Sequence, residues 1–192
     1  MWEEIEMDPA FLERDACRKA GQPVEIAKTE RLLIRETVLS DVPDLYRIWK
    51  APGMGDYVKP LQSALAKELE YMQAYIRHAY SFYDYGLWTV LERTAGQVIG
   101  RAGLFPSEIL DEAVEMGYLI AREYQRQGLA RECGEAILKY AFEVLELSEL
   151  HLLSDERNTA SIRTAEALGF KERESICREG KVLIHYVRYA YE

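Results

Sequence analysis

The chain has 192 residues, of which 48% are hydrophobic and 30% are charged, proportions that suit one globular domain with a sizeable core. Its formal net charge of −9 disfavours a nucleic-acid partner, which would need a basic patch, and is more compatible with a cationic partner. The three cysteines are widely spaced and form no CxxC pair, which favours neither a disulfide framework nor a zinc site.

The N-terminal segment predicts a short helix. Asp8 is a typical helix-capping residue, Pro9 suits the first turn, and Gly21 with Pro23 ends the helix. The segment is also acidic and lacks the basic start and continuous apolar core of a secretion signal. Because no stretch reaches the roughly 18 apolar residues of a membrane span, we expect a cytoplasmic protein without a membrane partner.

The next segment predicts one strand and two helices. RLLIRETV, Arg31 to Val38, alternates between apolar and polar residues like a strand, and Ser40 precedes a helix that ends near Lys50. Glycines and prolines then mark a loop. Beyond it, apolar residues recur at helical spacing from Ser63 to about Tyr80.

The second half of the chain predicts a meander followed by a crossover. GLWTVLER, QVIGRAGLF and AVEMGYLIA are apolar segments with short connections, as in an antiparallel meander. A long amphipathic helix is predicted from Leu129 to about Leu147, then a short buried strand, a helix ending at Gly169 and a closing hairpin. This order predicts a mixed α/β fold with one parallel crossover, from the fourth predicted strand to the fifth.

The handover from GYLIA to the helix at Leu129 suggests an anion site. A helix N-terminus presents unpaired N–H groups and the positive end of the helix dipole, where a phosphate binds readily. Gly128 would let an anion approach the backbone, and Ala130 adds little bulk. A single glycine before a helix is also an ordinary turn, and the chain has neither GxxxxGK[ST] nor GxGxxG. The turn alone therefore leaves both interpretations open.

Three ordered motifs resemble the GNAT superfamily of acyltransferases. Gln125, Gly128 and Ala130 match its Q/RxxGxG/A acetyl-CoA signature, and NTAS and ALGF follow one strand later. Together they look like the branch that includes the bacterial ribosomal-protein N-terminal acetyltransferases. The resemblance covers about Thr29 to Tyr189. It implies an N-terminal helical extension, residues 1–28, and a single acetyltransferase domain, residues 29–192.

The resemblance also implies a fold and a cosubstrate. The fold is a mixed, mostly antiparallel sheet of about seven strands, splayed between the fourth and fifth, with helices on both faces. Acetyl-CoA is the expected cosubstrate, and no metal is expected. Its pantetheine arm would bind the backbone of the fourth strand, and its pyrophosphate the amides that follow. These expected contacts are Leu119, Ile120, Ala121, Arg126, Gln127, Gly128, Leu129, Ala130, Arg131 and, unless it only caps its helix, Asn158.

The implied chemistry is acyl transfer, in which an amine attacks the thioester carbonyl directly. Glu115 is the candidate base, although it could equally be an outward-facing strand residue paired with a basic neighbour. Glu36 is the reserve candidate. Many relatives carry a tyrosine as the acid at the position held here by Ala165, so Ser161 becomes the candidate acid. Alternatively, Ser161 only hydrogen-bonds the backbone of its first helical turn.

Other polar and aromatic residues carry weaker hypotheses. Met54, Tyr57 and Trp88 lie where the resemblance places the acceptor wall. The histidines, His78, His151 and His185, have no partner at metal or triad spacing, which favours structural roles.

Two classes of function follow from these residues. The first is an acetyl-CoA-dependent N-acetyltransferase acting on a protein N-terminus or a small amine in a ternary complex. The alternative is a catalytically silent GNAT-fold module that binds or senses acyl-CoA, because cofactor motifs specify binding and do not prove turnover. A homodimer is compatible with either class.

Overall fold

The computed structural model describes residues 9–191, so the expected cap Asp8 lies outside the described residues. The helices are α1 (Pro9–Lys19), α2 (Val42–Lys50), α3 (Leu65–Tyr83), α4 (Leu129–Glu143) and α5 (Thr159–Ala167). The strands are β1 (Glu25–Lys28), β2 (Leu32–Arg35), β3 (Leu87–Glu92), β4 (Val98–Pro106), β5 (Val114–Ile120), β6 (Glu149–Asp155), β7 (Lys171–Arg178) and β8 (Lys181–Tyr189). Within this range, no helix has the length and apolar character needed to cross a bilayer.

The strands form one sheet in the order β1-β2-β3-β4-β5-β6-β8-β7. Neighbouring strands are antiparallel except β5 and β6, which are parallel. The predicted mixed, mostly antiparallel fold is therefore confirmed. The fourth and fifth predicted strands are β5 and β6.

Within residues 9–191 the sheet has eight strands, one more than the sequence predicted. The additional strand is β1, Glu25–Lys28, which pairs with β2 inside the segment expected to be a helical extension. It has only four residues, too few to show an alternating pattern, and its conformation depends on its pairing with β2. The predicted extension thus ends in a strand of the sheet.

Parallel strands β5 and β6 meet at a single residue pair, Glu115 with His151. By contrast, β4 pairs with β5 from Pro106 and Val114 through to Gly100 and Ile120. Beyond Glu115, the edge of β5 that faces β6 has no strand partner within the described chain. This divergence is the predicted splay.

Helices cover both faces of the sheet. On one face, α4 packs through Ile137 and Cys133 in a cluster that includes Leu150. On the other, α2 packs through Leu45 and Ile48 in a second cluster with residues of β3 and β4. The sheet is therefore the middle layer of the fold, and the splay is a gap between two strands, β5 and β6, within that layer.

Candidate active site

The turn between β5 and α4 has the backbone geometry of a helix N-terminus opened by glycine. Gly128 is the residue before α4, with φ 79° and ψ 0°. This left-handed conformation strains residues with a side chain, which explains the glycine. Among the described residues, a Cβ added there would meet only the Arg31 guanidinium, at 3.7 Å. The space in front of the helix is therefore open.

The backbone amides at this turn have no internal acceptor. From Arg126 to Arg131, no N–H donates to a group within residues 9–191, and the first that does is Glu132, whose N–H donates to the Gly128 carbonyl at 3.0 Å. These are the amides expected to hold a pyrophosphate, and those from Gly128 to Arg131 belong to the open N-terminus of α4. The turn thus has both the donors and the open space that a diphosphate needs.

Side chains fix the shape of this turn. Arg31 donates to the Gln127 carbonyl at 2.9 Å and forms an ion pair with Glu132 at 2.6 Å. Burial tends to raise the pKa of Glu132, but hydrogen bonds from Thr29 and Arg31 lower it overall. Gln125, the first residue of the signature, donates to the Ile120 carbonyl at 2.8 Å and so ties the turn to the end of β5.

The backbone at the end of β5 offers fewer free groups than the sequence predicted. The Ala121 N–H donates to the Ile99 carbonyl at 2.7 Å, and the Ala121 carbonyl accepts from Tyr124 at 2.8 Å. The Leu119 carbonyl lies against Gly100 of β4, since a Cβ there would stand 2.2 Å from it. The polar groups of Leu119 and Ala121 therefore face away from the splay.

Alternation along the strand identifies the groups that do face the splay. Backbone N–H and C=O groups of successive residues point to opposite edges of a strand. Ile120, between two residues that face β4, therefore turns its N–H towards the gap, and Tyr118 does so two positions earlier. Of the three predicted strand contacts, Ile120 therefore has its N–H on the open edge, and so does Tyr118, which the sequence analysis did not include. Contact of these groups with the pantetheine arm stays a prediction.

Glu115 is buried rather than outward-facing. It is 7% exposed, and its Oε1 accepts a hydrogen bond from the Ser107 hydroxyl at 2.5 Å. Burial raises the pKa of Glu115, and the bond from Ser107 offsets this only in part. Glu115 has no ion pair with a basic residue in the described chain, so the alternative of a paired surface residue does not hold. A carboxyl group with a raised pKa is better matched to base catalysis near neutral pH.

Ser161 and Asn158 lie in the first turn of α5. The Asn158 Oδ1 accepts from the Ser161 N–H at 3.2 Å, so Asn158 caps the helix. The Tyr118 hydroxyl donates to the Ser161 carbonyl at 3.2 Å and lies 3.4 Å from its Oγ. Burial raises the pKa of Tyr118. Sequence reasoning missed Tyr118, which spans from β5 to α5 across the splay. Ala165 is 0% exposed, so its position belongs to the core.

The candidate acceptor contacts and the reserve base differ in their burial and in their neighbours. Trp88 is 0% exposed and packs edge-on against Tyr140 of α4, with ring centroids 5.4 Å apart, so its expected acceptor contact is wrong because it faces the α4 side. Met54 is buried near α2, whereas Tyr57 is exposed. The reserve base Glu36 accepts from the Arg18 Nε at 2.8 Å.

The histidines His151 and His185 are not isolated. The His151 Nδ1 lies 2.9 Å from the His185 Nε2, and the rings stack with centroids 5.2 Å apart. They meet because β6 pairs with β8, which the sequence could not reveal. Among the residues described, no group of three or more His, Cys, Asp or Glu is arranged to hold a metal ion.

Comparisons with known proteins identify the family of the chain. A family model described as an acetyltransferase (GNAT) domain matches residues 31–171. YkkB from Bacillus subtilis is 33% identical over 110 residues, which cover 57% of this chain and 64% of YkkB, less than two thirds of its length. The uncharacterized N-acetyltransferase p20 from Bacillus licheniformis is 24% identical over 156 residues, covering 81% of this chain and 87% of p20.

Solved structures share the fold. Ribosomal-protein-S5-alanine acetyltransferase from Vibrio fischeri superposes with a TM-score of 0.71 at 16% identity, covering 87% of this chain and 97% of that one. Spermidine N-acetyltransferase from Vibrio cholerae, solved with CoA and spermine, gives 0.72 at 19% identity, covering 85% and 98%. The TM-scores show that the fold is shared. At these sequence identities, the similarity does not identify the acceptor of this chain.

Proposed function

Because the chain belongs to the GNAT acetyltransferase family, we propose that it is an N-acetyltransferase, which transfers the acetyl group of acetyl-CoA to a primary amine by direct attack in a ternary complex. The observation that carries this proposal is the row of unpaired amides from Arg126 to Arg131, next to the edge of β5 that the splay leaves open. Acetyl-CoA supplies the activated acyl group.

The residues of the chain divide the work of this reaction. The amides from Arg126 to Arg131 hold the pyrophosphate, and the Ile120 and Tyr118 N–H groups hold the pantetheine arm. Glu115 takes the proton of the attacking amine, directly or through water, because its raised pKa brings it closer to that of the amine. Ser161 donates its hydroxyl proton to the departing thiolate, and a proton from solvent restores the hydroxyl while Glu115 releases the amine proton to solvent. Asn158 orients Ser161 by capping the helix that carries it.

The acceptor is a protein N-terminus or a small amine. An α-amino group has an ordinary pKa of about 7.7 to 8.0, whereas a lysine lies near 10.4, so an α-amine needs less help from a single buried carboxylate. Two proteins of the same fold are named as acetyltransferases for an alanine of ribosomal protein S5 and for spermidine, which supports a protein or a small amine as the acceptor.

Calorimetry with acetyl-CoA, followed by thiol release with a panel of amines, tests the proposal. We expect saturable binding and amine-dependent release of CoA, with the acetylated product identified by mass spectrometry. Absence of binding at high micromolar protein would refute the proposal. Binding without release across the panel would instead favour an acyl-CoA-binding module.

A further inference from the structure

A buried arginine without an acceptor lies on the sheet beneath α2 and α3. Arg101, in β4, is 8% exposed, and its Nε and Nη2 have no hydrogen-bond partner among the described residues. Its guanidinium carbon stands 5.0 Å from the centre of the Tyr75 ring. A buried guanidinium with unpaired donors destabilises a fold unless something else binds it.

Arg101 and Glu115 share a face of the sheet. Arg101 pairs directly with Leu119, and Phe105 pairs directly with Glu115 in the same ladder. Directly paired residues project to the same face, and residues four positions apart on a strand do so too. The two side chains therefore rise from one face, about 13 Å apart along the strands. A ligand whose amine lies at Glu115 would have to extend over about this distance to reach Arg101.

A small cavity adjoins the guanidinium. Its volume is about 10 Å³, and its lining includes Leu45, Leu61, Glu68, Met72 and Arg101. That volume holds one water molecule at most. A larger ligand can enter only if the covering segment, which contains Leu61, moves.

The covering segment, residues 51–64, joins α2 to α3 and is fastened near its end. The Tyr46 hydroxyl donates to the Gln62 and Ser63 carbonyls, each at 3.3 Å, and Trp49 donates to the Lys59 carbonyl at 3.1 Å. Glu68, 4% exposed, accepts from the Gln62 N–H at 2.9 Å. These few bonds hold the segment over Arg101. Glu68 accepts its hydrogen bond from this segment and forms no ion pair with Arg101 within the described chain.

The free donors of Arg101 define the ligand. Nε and Nη2 form one edge of the guanidinium, and their spacing matches the two oxygens of a carboxylate. We propose that Arg101 binds a carboxylate of the acceptor, so that the preferred acceptors are primary amines that also carry a carboxylate. This inference rests on the proposed function of the Glu115 face, and it excludes polyamines as the preferred class.

The first experiment measures binding without turnover. Thermal unfolding of the full chain is followed at fixed ionic strength with 4-aminobutyrate, 6-aminohexanoate and the amines n-butylamine and n-hexylamine. We expect the amino acids, and not the alkylamines, to raise Tm in the wild type and in Arg47→Gln, which removes an exposed arginine of α2. Arg101→Met should abolish the response. Equal responses of wild type and Arg101→Met would overturn the inference.

The second experiment measures turnover with the same compounds. We expect kcat/KM for the amino acids to exceed that for the matched alkylamines by about tenfold or more, the size of a charged hydrogen-bonded contact, and Arg101→Met to erase the difference. If Arg101→Met lowers Tm but keeps the acceptor preference, Arg101 is only a structural residue bridged to Glu68 by water, and the inference is refuted. If no amine is acetylated, the thermal shifts still decide the carboxylate site, while the proposed activity fails separately.

Discussion

Replacing Gly128 with aspartate or asparagine tests the anion site with a matched pair. The two side chains have the same size, and both tolerate the left-handed backbone better than other residues do. A side chain there points into open space near Arg31. The two variants therefore differ mainly in one negative charge at the N-terminus of α4.

The expected size of the effect comes from that geometry. A carboxylate at Gly128 would lie about 5 Å from a diphosphate held by the neighbouring amides, and two unit charges at that distance repel by about 3 kcal/mol at an effective dielectric constant near 20. Affinity for acetyl-CoA should then fall about a hundredfold or more in Gly128→Asp relative to Gly128→Asn. Each variant should lose about 1 kcal/mol of folding stability to backbone strain.

Isothermal calorimetry at two salt concentrations measures the effect, with urea unfolding as the control for stability. The difference between the variants should shrink as salt is raised, because screening weakens the repulsion. Equal affinities of the aspartate and asparagine variants for acetyl-CoA at low salt would mean that the segment is an ordinary connecting turn and binds no diphosphate.

Three further predictions concern the reaction and the core. Glu115→Gln should lower kcat by about 10²- to 10⁴-fold. Wild-type kcat/KM should fall as pH drops through the raised pKa of Glu115, because only the ionised carboxylate accepts a proton. A pH-independent kcat/KM would contradict this role of Glu115. Ser107→Ala removes the bond that lowers this pKa, so the acidic limb of the pH–rate profile should move to higher pH, and an unmoved limb would exclude that bond. Ala165→Tyr should lower the free energy of unfolding by about 1–3 kcal/mol through overpacking of the core. Urea unfolding measures this loss, and the same substitution at the exposed Ala160 should cause no such loss.

Features encoded locally were predicted well from the sequence. The meander and the helix starting at Leu129 were confirmed, since each depends on residues close together in the chain. The predicted crossover was confirmed by the parallel pairing of β5 with β6. The turn at Gly128 also has the left-handed backbone that its glycine indicated. Its role in binding stays a prediction.

Features that depend on distant contacts were not predictable. The pairing of His151 with His185 requires β6 and β8 to be neighbours. Tyr118 resembled an ordinary strand residue until α5 was placed beside it. The burial of Arg101 depends on α2 and α3, which are distant from β4 in the sequence and line the same small cavity.

The splay also affects how this sheet avoids aggregation. An unpaired strand edge is a template on which another chain can add. The two outer edges have features that discourage addition: β1 is short and bulged, and β7 begins with the charged run Lys171 to Glu174. The third free edge, on β5, lies inside the strand order, with β6 and its neighbours beyond it. A thin, flexible molecule can reach that edge, whereas a second folded sheet is kept at a distance.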